Sequence, residues 1–96
     1  MQRSQVLKLL SECKPALHKE YGVLRLALFG STARDDASES SDVDVLVSFD
    51  GPATSDRFFG VQFYLEDRLG TKVDLVTEKA LRSELRPTIE SEAINV

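Results

Sequence analysis

Three carboxylates and one glycine-serine turn are the residues of this chain best placed to do chemistry. Asp42 and Asp44 lie within Ser41-Asp42-Val43-Asp44-Val45-Leu46-Val47, and Asp74 within Lys72-Val73-Asp74-Leu75-Val76. Asp is depleted in strands, so acids embedded in two Val/Leu runs need a reason. In a strand, Asp42 and Asp44 share a face, about 6–7 Å apart along the backbone. If the strand bearing Asp74 lies beside them, three carboxylates meet on one open face. Unpaired, they repel and raise one another's pKa. A hard divalent cation removes that conflict, and Mg²⁺ takes oxygen ligands while keeping positions open for phosphate. Two such ions, about 3.5–4 Å apart, clamp an in-line displacement at phosphorus.

Gly30-Ser31 supplies the complementary half. It follows the apolar run Leu24-Arg25-Leu26-Ala27-Leu28-Phe29. Glycine lets the backbone approach a phosphate, and a following helix start offers free N–H groups. The Ser31 hydroxyl adds a donor, and Arg34, one turn later, adds positive charge. Together these residues fit a nucleoside triphosphate carrying Mg²⁺. Singly, each is an ordinary turn, strand end or solvated side chain; the combination and its order carry the argument.

The elements that would position these groups can be read around them. Val6, Leu9 or Leu10, Cys13 and Leu17 recur at helical spacing, so Ser4 to about His18 reads as a helix capped by Ser4. Pro15 predicts a kink or a second short helix there. Val23 to Phe29 reads as the first strand, and Ser31-Thr32-Ala33-Arg34 as the first turn of a short helix. Asp35 to Ser41 reads as a polar loop, and Val43 to Phe49 as the second strand. Ser55 to Leu69 reads as a long helix, capped by Thr54 or Ser55 and ended by Gly70. Its apolar face is read as Phe58, Phe59, Gln62, Phe63, Leu65, Glu66 and Leu69, with the phenylalanines in the core. Lys72 to Thr77 reads as the third strand. Glu78 to about Leu85 is a short helix, and Pro87 opens another toward Ile94. This order implies a small sheet, parallel or mixed, covered by helices.

Composition narrows the class. Ninety-six residues, 42% hydrophobic and 29% charged, make one small domain, residues 1–96. A net charge of −4 disfavours nucleic acid as a partner. The single Cys13 excludes an internal disulfide framework and fits a reducing compartment. No stretch approaches the roughly 20 apolar residues of a membrane span, and no signal peptide is visible. The expected location is the cytoplasm, with no membrane partner.

The string Leu28-Phe29-Gly30-Ser31-Thr32-Ala33-Arg34, ten residues after Gly30-Ser31, and then Asp42-x-Asp44 resemble the signature of the DNA polymerase beta-type nucleotidyltransferase superfamily. Asp74 falls where that superfamily places its third carboxylate. The resemblance extends over nearly the whole chain and is strongest to the minimal nucleotidyltransferases, often encoded beside a helical HEPN-type toxin as its antitoxin. It implies an α/β (α+β) fold: a small mixed sheet of three or more strands with helices packed on one face. It implies that Asp42 and Asp44 bridge two Mg²⁺ ions. Asp74 would hold the catalytic metal beside the acceptor hydroxyl, as general base, and Gly30, Ser31 and Arg34 would bind the nucleotide. The family usually has glycine after that arginine; this chain has Asp35, which tolerates a left-handed turn but adds negative charge near a triphosphate.

The expected activity is transfer of a nucleoside monophosphate, AMP from ATP, to a hydroxyl on a HEPN-type toxin. A non-catalytic module that neutralises its partner by masking is the alternative. Transfer to a small molecule or an RNA end ranks last, because no sequence remains for an acceptor domain. Self-association is left open, with Ile89, Ile94 and Val96 as apolar candidates for a contact surface or for the core.

Overall fold

The computed structural model describes residues 2–36 and 42–96. Helix α1 (Arg3–Tyr21) buries Val6, Leu10, Cys13 and Leu17 along one stripe. Its cap is Gln2, two residues before the expected Ser4. The Gln2 N–H donates to Gln5 Oε1 at 3.2 Å, half of a reciprocal capping box. The helix runs through Pro15 as one element. Proline deprives the Ser11 carbonyl of its helical donor, but Ser11 and Pro15 are both exposed, so water can serve that carbonyl. Gly22, at φ 74°, ends the helix.

Strand β1 (Val23–Phe29) follows directly, then the single-turn helix α2 (Gly30–Ala33), which begins one residue earlier than expected. Strand β2 (Val43–Phe49) has the bounds read from the apolar run. Of the loop expected over 35–41, positions 37–41 lie outside the described residues. Helix α3 (Ser55–Leu69) is capped by Thr54, whose hydroxyl accepts from the Arg57 N–H at 3.3 Å, and ends at Gly70 with φ 70°. Strand β3 (Val73–Thr77) leads into a 3₁₀ turn (Glu78–Ala80). The short helix expected from Glu78 to Leu85 is reduced to that turn. Helix α4 (Arg86–Glu92), with Pro87 in its first turn, delivers a short strand β4 (Ile94–Asn95). β4 was not foreseen; two residues carry no periodic signal.

The sheet order is β3-β2-β1-β4. β1 is antiparallel to β2 and to β4, whereas β2 and β3 are parallel, joined across α3. The sheet is therefore mixed. Val43, Val45 and Val47 pack with Val73 and Leu75 under α1 and α3. Alternation turns Asp44, Leu46 and Ser48 to the other face. There a smaller cluster of Ala27, Phe29 and Leu46 is roofed in part by Val76, Leu81, Ile89 and Ala93. Ile94 and Val96 pack on the main core, so the C-terminal apolar residues close the fold. A β-bulge between Val23 and Arg25 leaves Leu24 exposed.

The buried stripe of α3 is Val61, Leu65 and Leu69, with Phe58 partly packed. Phe59 and Phe63 lie on the outer side, 49% and 63% exposed and stacked at 6.2 Å. The core role expected for these two is therefore corrected. Gly60 explains how closely α3 approaches α1: a Cβ there would stand 2.8 Å from Tyr21 Cζ. Among the described residues, no helix is long and apolar enough to cross a membrane.

Candidate functional site

The parallel register pairs Asp44 with Asp74, and the antiparallel register pairs Asp44 with Phe29. One row across three strands thus holds Phe29, Asp44 and Asp74, with Gly30 following Phe29. Asp42 directly precedes β2, and its position beside Asp44 is set by the strand start. Asp44 is partly buried; Asp42 and Asp74 are exposed.

This arrangement perturbs Asp44. Burial is the main cause, and the charge of Asp74 together with an Asp74 side-chain hydrogen bond adds to it. Asp42 contributes further, while Arg34 opposes the shift. The carboxyl is pushed up to about 6 from its ordinary 3.8. A half-buried carboxyl flanked by two other acids behaves this way.

Gly30 sits at φ 74°. A Cβ on it would land on the Asp44 carboxylate, 2.9 Å from Cγ. The glycine is thus required twice, for its backbone conformation and for the acid packed against it. The turn beyond it is held by Arg34 N–H to Gly30 O at 3.1 Å and Asp36 N–H to Ser31 O at 3.0 Å. Thr32 and Ala33 are buried, anchoring the turn, and Ser31 remains partly accessible. Asp35 takes φ 64°, the left-handed conformation for which glycine is the usual choice.

Arg34 is half exposed. Its Nη1 meets Glu92 Oε2 at 2.8 Å, and its Nε meets Asp36 Oδ2 at 3.3 Å. Pairing with Asp36, two positions on, is local; pairing with Glu92, 58 positions away, has no local signal.

The donor set fits a divalent metal in its chemistry: carboxylate oxygens only, an in-register pair, and a carboxyl whose proton affinity is raised by burial and then by the neighbouring acids. Among the described residues, no three His, Cys, Asp or Glu side chains form a cluster that could hold an ion as placed. Asp44 and Asp74 are brought together, and Asp42 stands close enough to act on Asp44 only through its charge. A cleft of about 300 Å³, lined in part by Leu24, Phe49, Thr77 and Glu78, opens near the opposite ends of the strands. It contains none of these acids.

Comparison with known proteins places this geometry. The nucleotidyltransferase domain family matches residues 10–96. A protein of Methanocaldococcus jannaschii named as a protein adenylyltransferase is 38% identical over 94 residues, covering 97% of this chain and 96% of that one. The protein adenylyltransferase MntA of Thermococcus cleftensis is 36% identical over 92 residues, covering 96% and 93%. A solved minimal nucleotidyltransferase superposes with a TM-score of 0.78 at 35% identity, covering 100% of this chain and 97% of that one. A further solved structure is the complex of the tri-AMPylated Shewanella oneidensis HEPN toxin with MNT antitoxin. It shares the fold at a TM-score of 0.59 and 19% identity, covering 97% of this chain and 67% of that one. The chain belongs to the nucleotidyltransferase family and is an enzyme of its minimal class.

Proposed function

We propose that this chain, acting as one domain over residues 1–96, transfers AMP from ATP to a hydroxyl of a HEPN-type toxin and so serves as its antitoxin. The observation that carries the reading is the Asp44–Asp74 register pair with Gly30 seated against Asp44. It puts an acid pair and a phosphate-approach turn on one face of the sheet. The relatives named protein adenylyltransferase, and the AMP-modified toxin bound by a structural neighbour, support the choice of donor and acceptor.

In this reading Asp42, Asp44 and Asp74 hold Mg²⁺, two ions in the full complex. When bound, the metal neutralises phosphate charge and polarises the phosphorus centre. The backbone at Gly30 and the Ser31 hydroxyl receive the terminal phosphates, and Arg34 adds a charge-assisted contact. Asp74, exposed at the edge strand, accepts the proton of the acceptor hydroxyl. The acceptor oxygen bonds to the α-phosphorus, the bond from α-phosphorus to the bridging oxygen breaks, and pyrophosphate leaves.

The test is incubation with α-labelled ATP, Mg²⁺ and the neighbouring HEPN-type protein. Label should appear on the partner and vanish with Asp42→Ala/Asp44→Ala. Unlabelled partner with intact protein, or equal labelling by the double variant, would overturn the reading. Neutralisation of the partner in cells by Asp42→Asn/Asp44→Asn protein would favour masking instead.

A further inference from the structure

Arg34 is braced by the far end of the chain. β4 pairs Ile94 with Leu28 and Asn95 with Ala27, antiparallel to β1. Continuing that register brings the end of α4, where Glu92 lies, level with Gly30. Glu92 thus stands on one side of the phosphate turn and Asp44 on the other. α4 is itself fixed. Ile89 packs on the Ala27, Phe29 and Leu46 cluster. Arg25 reaches Glu90 at 3.0 Å, Glu78 at 2.5 Å and the Asn95 side chain at 2.7 Å. The carboxylate that meets Arg34 is therefore carried on a clamped element. It is only 20% exposed, whereas Arg34 is 50% exposed.

A guanidinium has five N–H donors in a rigid fork. Glu92 occupies Nη1 and Asp36 occupies Nε. Among the described residues Nη2 carries no partner, which leaves donors for a phosphate oxygen. An exposed arginine without such a brace spreads over many rotamers and must be ordered when ligand binds. Here two carboxylates already hold the side chain, and its charge acts on Asp44.

We propose that Glu92 is a positioning residue that holds the Arg34 guanidinium over the Gly30-Ser31 turn, making the C-terminal helix part of the nucleotide site. This inference rests on the reading of that site as a nucleotide site. Glu92 touches no reacting atom; it acts through Arg34.

The experiment is binding of a non-hydrolysable ATP analogue with Mg²⁺ to the full chain, as wild type, Glu92→Gln, Arg34→Gln and the double variant. Glu92→Gln should weaken affinity by about three- to tenfold, the scale of one exposed charge-assisted contact. Arg34→Gln should weaken it at least as much, and the double variant should match Arg34→Gln alone. A merely structural role would instead lower the thermal midpoint and add its loss to that of Arg34→Gln. Glu92→Asp, which keeps the charge but shortens the reach, should also lose affinity. Wild-type affinity or tighter binding in Glu92→Gln overturns the inference, as do multiplying losses in the double variant, and both leave the nucleotide site standing. Absence of binding by the unmodified chain overturns the site reading and this inference together.

Discussion

Gly30 has no side chain, and the space one would take is filled by the carboxylate of Asp44. The backbone at Gly30 is also left-handed, at φ 74°. Gly30→Ala therefore imposes two costs at once. The conformation alone costs about 1–2 kcal/mol for an L-residue. The new methyl group must also drive Asp44 out of its row with Asp74. A displacement near 1 Å at a reacting centre costs about 100-fold in rate. Labelled transfer by Gly30→Ala should thus fall by about 100-fold or more, with a lower thermal midpoint. Transfer close to wild type would show that Asp44 does not need this position.

The Asp44–Asp74 pair predicts how stability without metal depends on pH. The Asp44 carboxyl titrates at about 6 in the fold and near 3.8 when unfolded. Between those values the native state binds more protons than the unfolded chain, so stability falls as pH rises. Below about 3.8 both states are protonated and the penalty is absent; above about 6 it is fully present. In chelator, this group's contribution should make the chain less stable at pH 7 than at pH 4.5. Mg²⁺ should restore more stability at pH 7 than at pH 5, because protons and metal compete for the same oxygens. Carbon-detected titration of Asp44 checks the origin. Asp74→Asn should lower its midpoint while leaving it above 3.8, since burial is the larger cause. An unchanged midpoint in Asp74→Asn would remove the coupling from the account.

The carboxylates and the turn were legible because they violate local rules: aspartates inside Val/Leu runs, and a Gly-Ser closing an apolar strand. Strand bounds at Val23–Phe29 and Val43–Phe49 followed from the same contrast. What escaped was long-range. Leu65 and Leu69 point inward as read, but Phe59 and Phe63 are as hydrophobic as Phe58, and nothing local says that the crossover between β2 and β3 turns Val61 inward in their place. The two phenylalanines, one turn apart, cover each other on the outside. β4 exists because Arg25, Ile89 and Val96 draw the C-terminal segment onto β1, not because Ile94-Asn95 favours a strand. The Arg34–Glu92 pair depends on that docking and was invisible for the same reason.

Asp35 gives the last prediction, because it stands at a left-handed turn position where the family resemblance implies glycine. It adopts φ 64°, which Asp tolerates better than most residues. The turn therefore survives the substitution. Asp35 also lines a polar cleft with Gln2, Arg3 and Ser4 at the start of α1. There its charge is opposite Arg3 and the positive end of a 19-residue helix, which offsets its effect on a neighbouring triphosphate. Asp35→Asn keeps the shape and conformation and removes the charge. Affinity for the Mg²⁺-bound ATP analogue should change by less than about threefold, within the range of a screened surface charge. Asp35→Val, β-branched and unable to hold a left-handed turn, should destabilise the fold by about 1–2 kcal/mol and weaken binding through the displaced Gly30-Ser31 turn. Tightening of tenfold or more in Asp35→Asn would mean instead that the Asp35 charge acts directly on the phosphates, and that this chain carries a built-in brake on nucleotide binding.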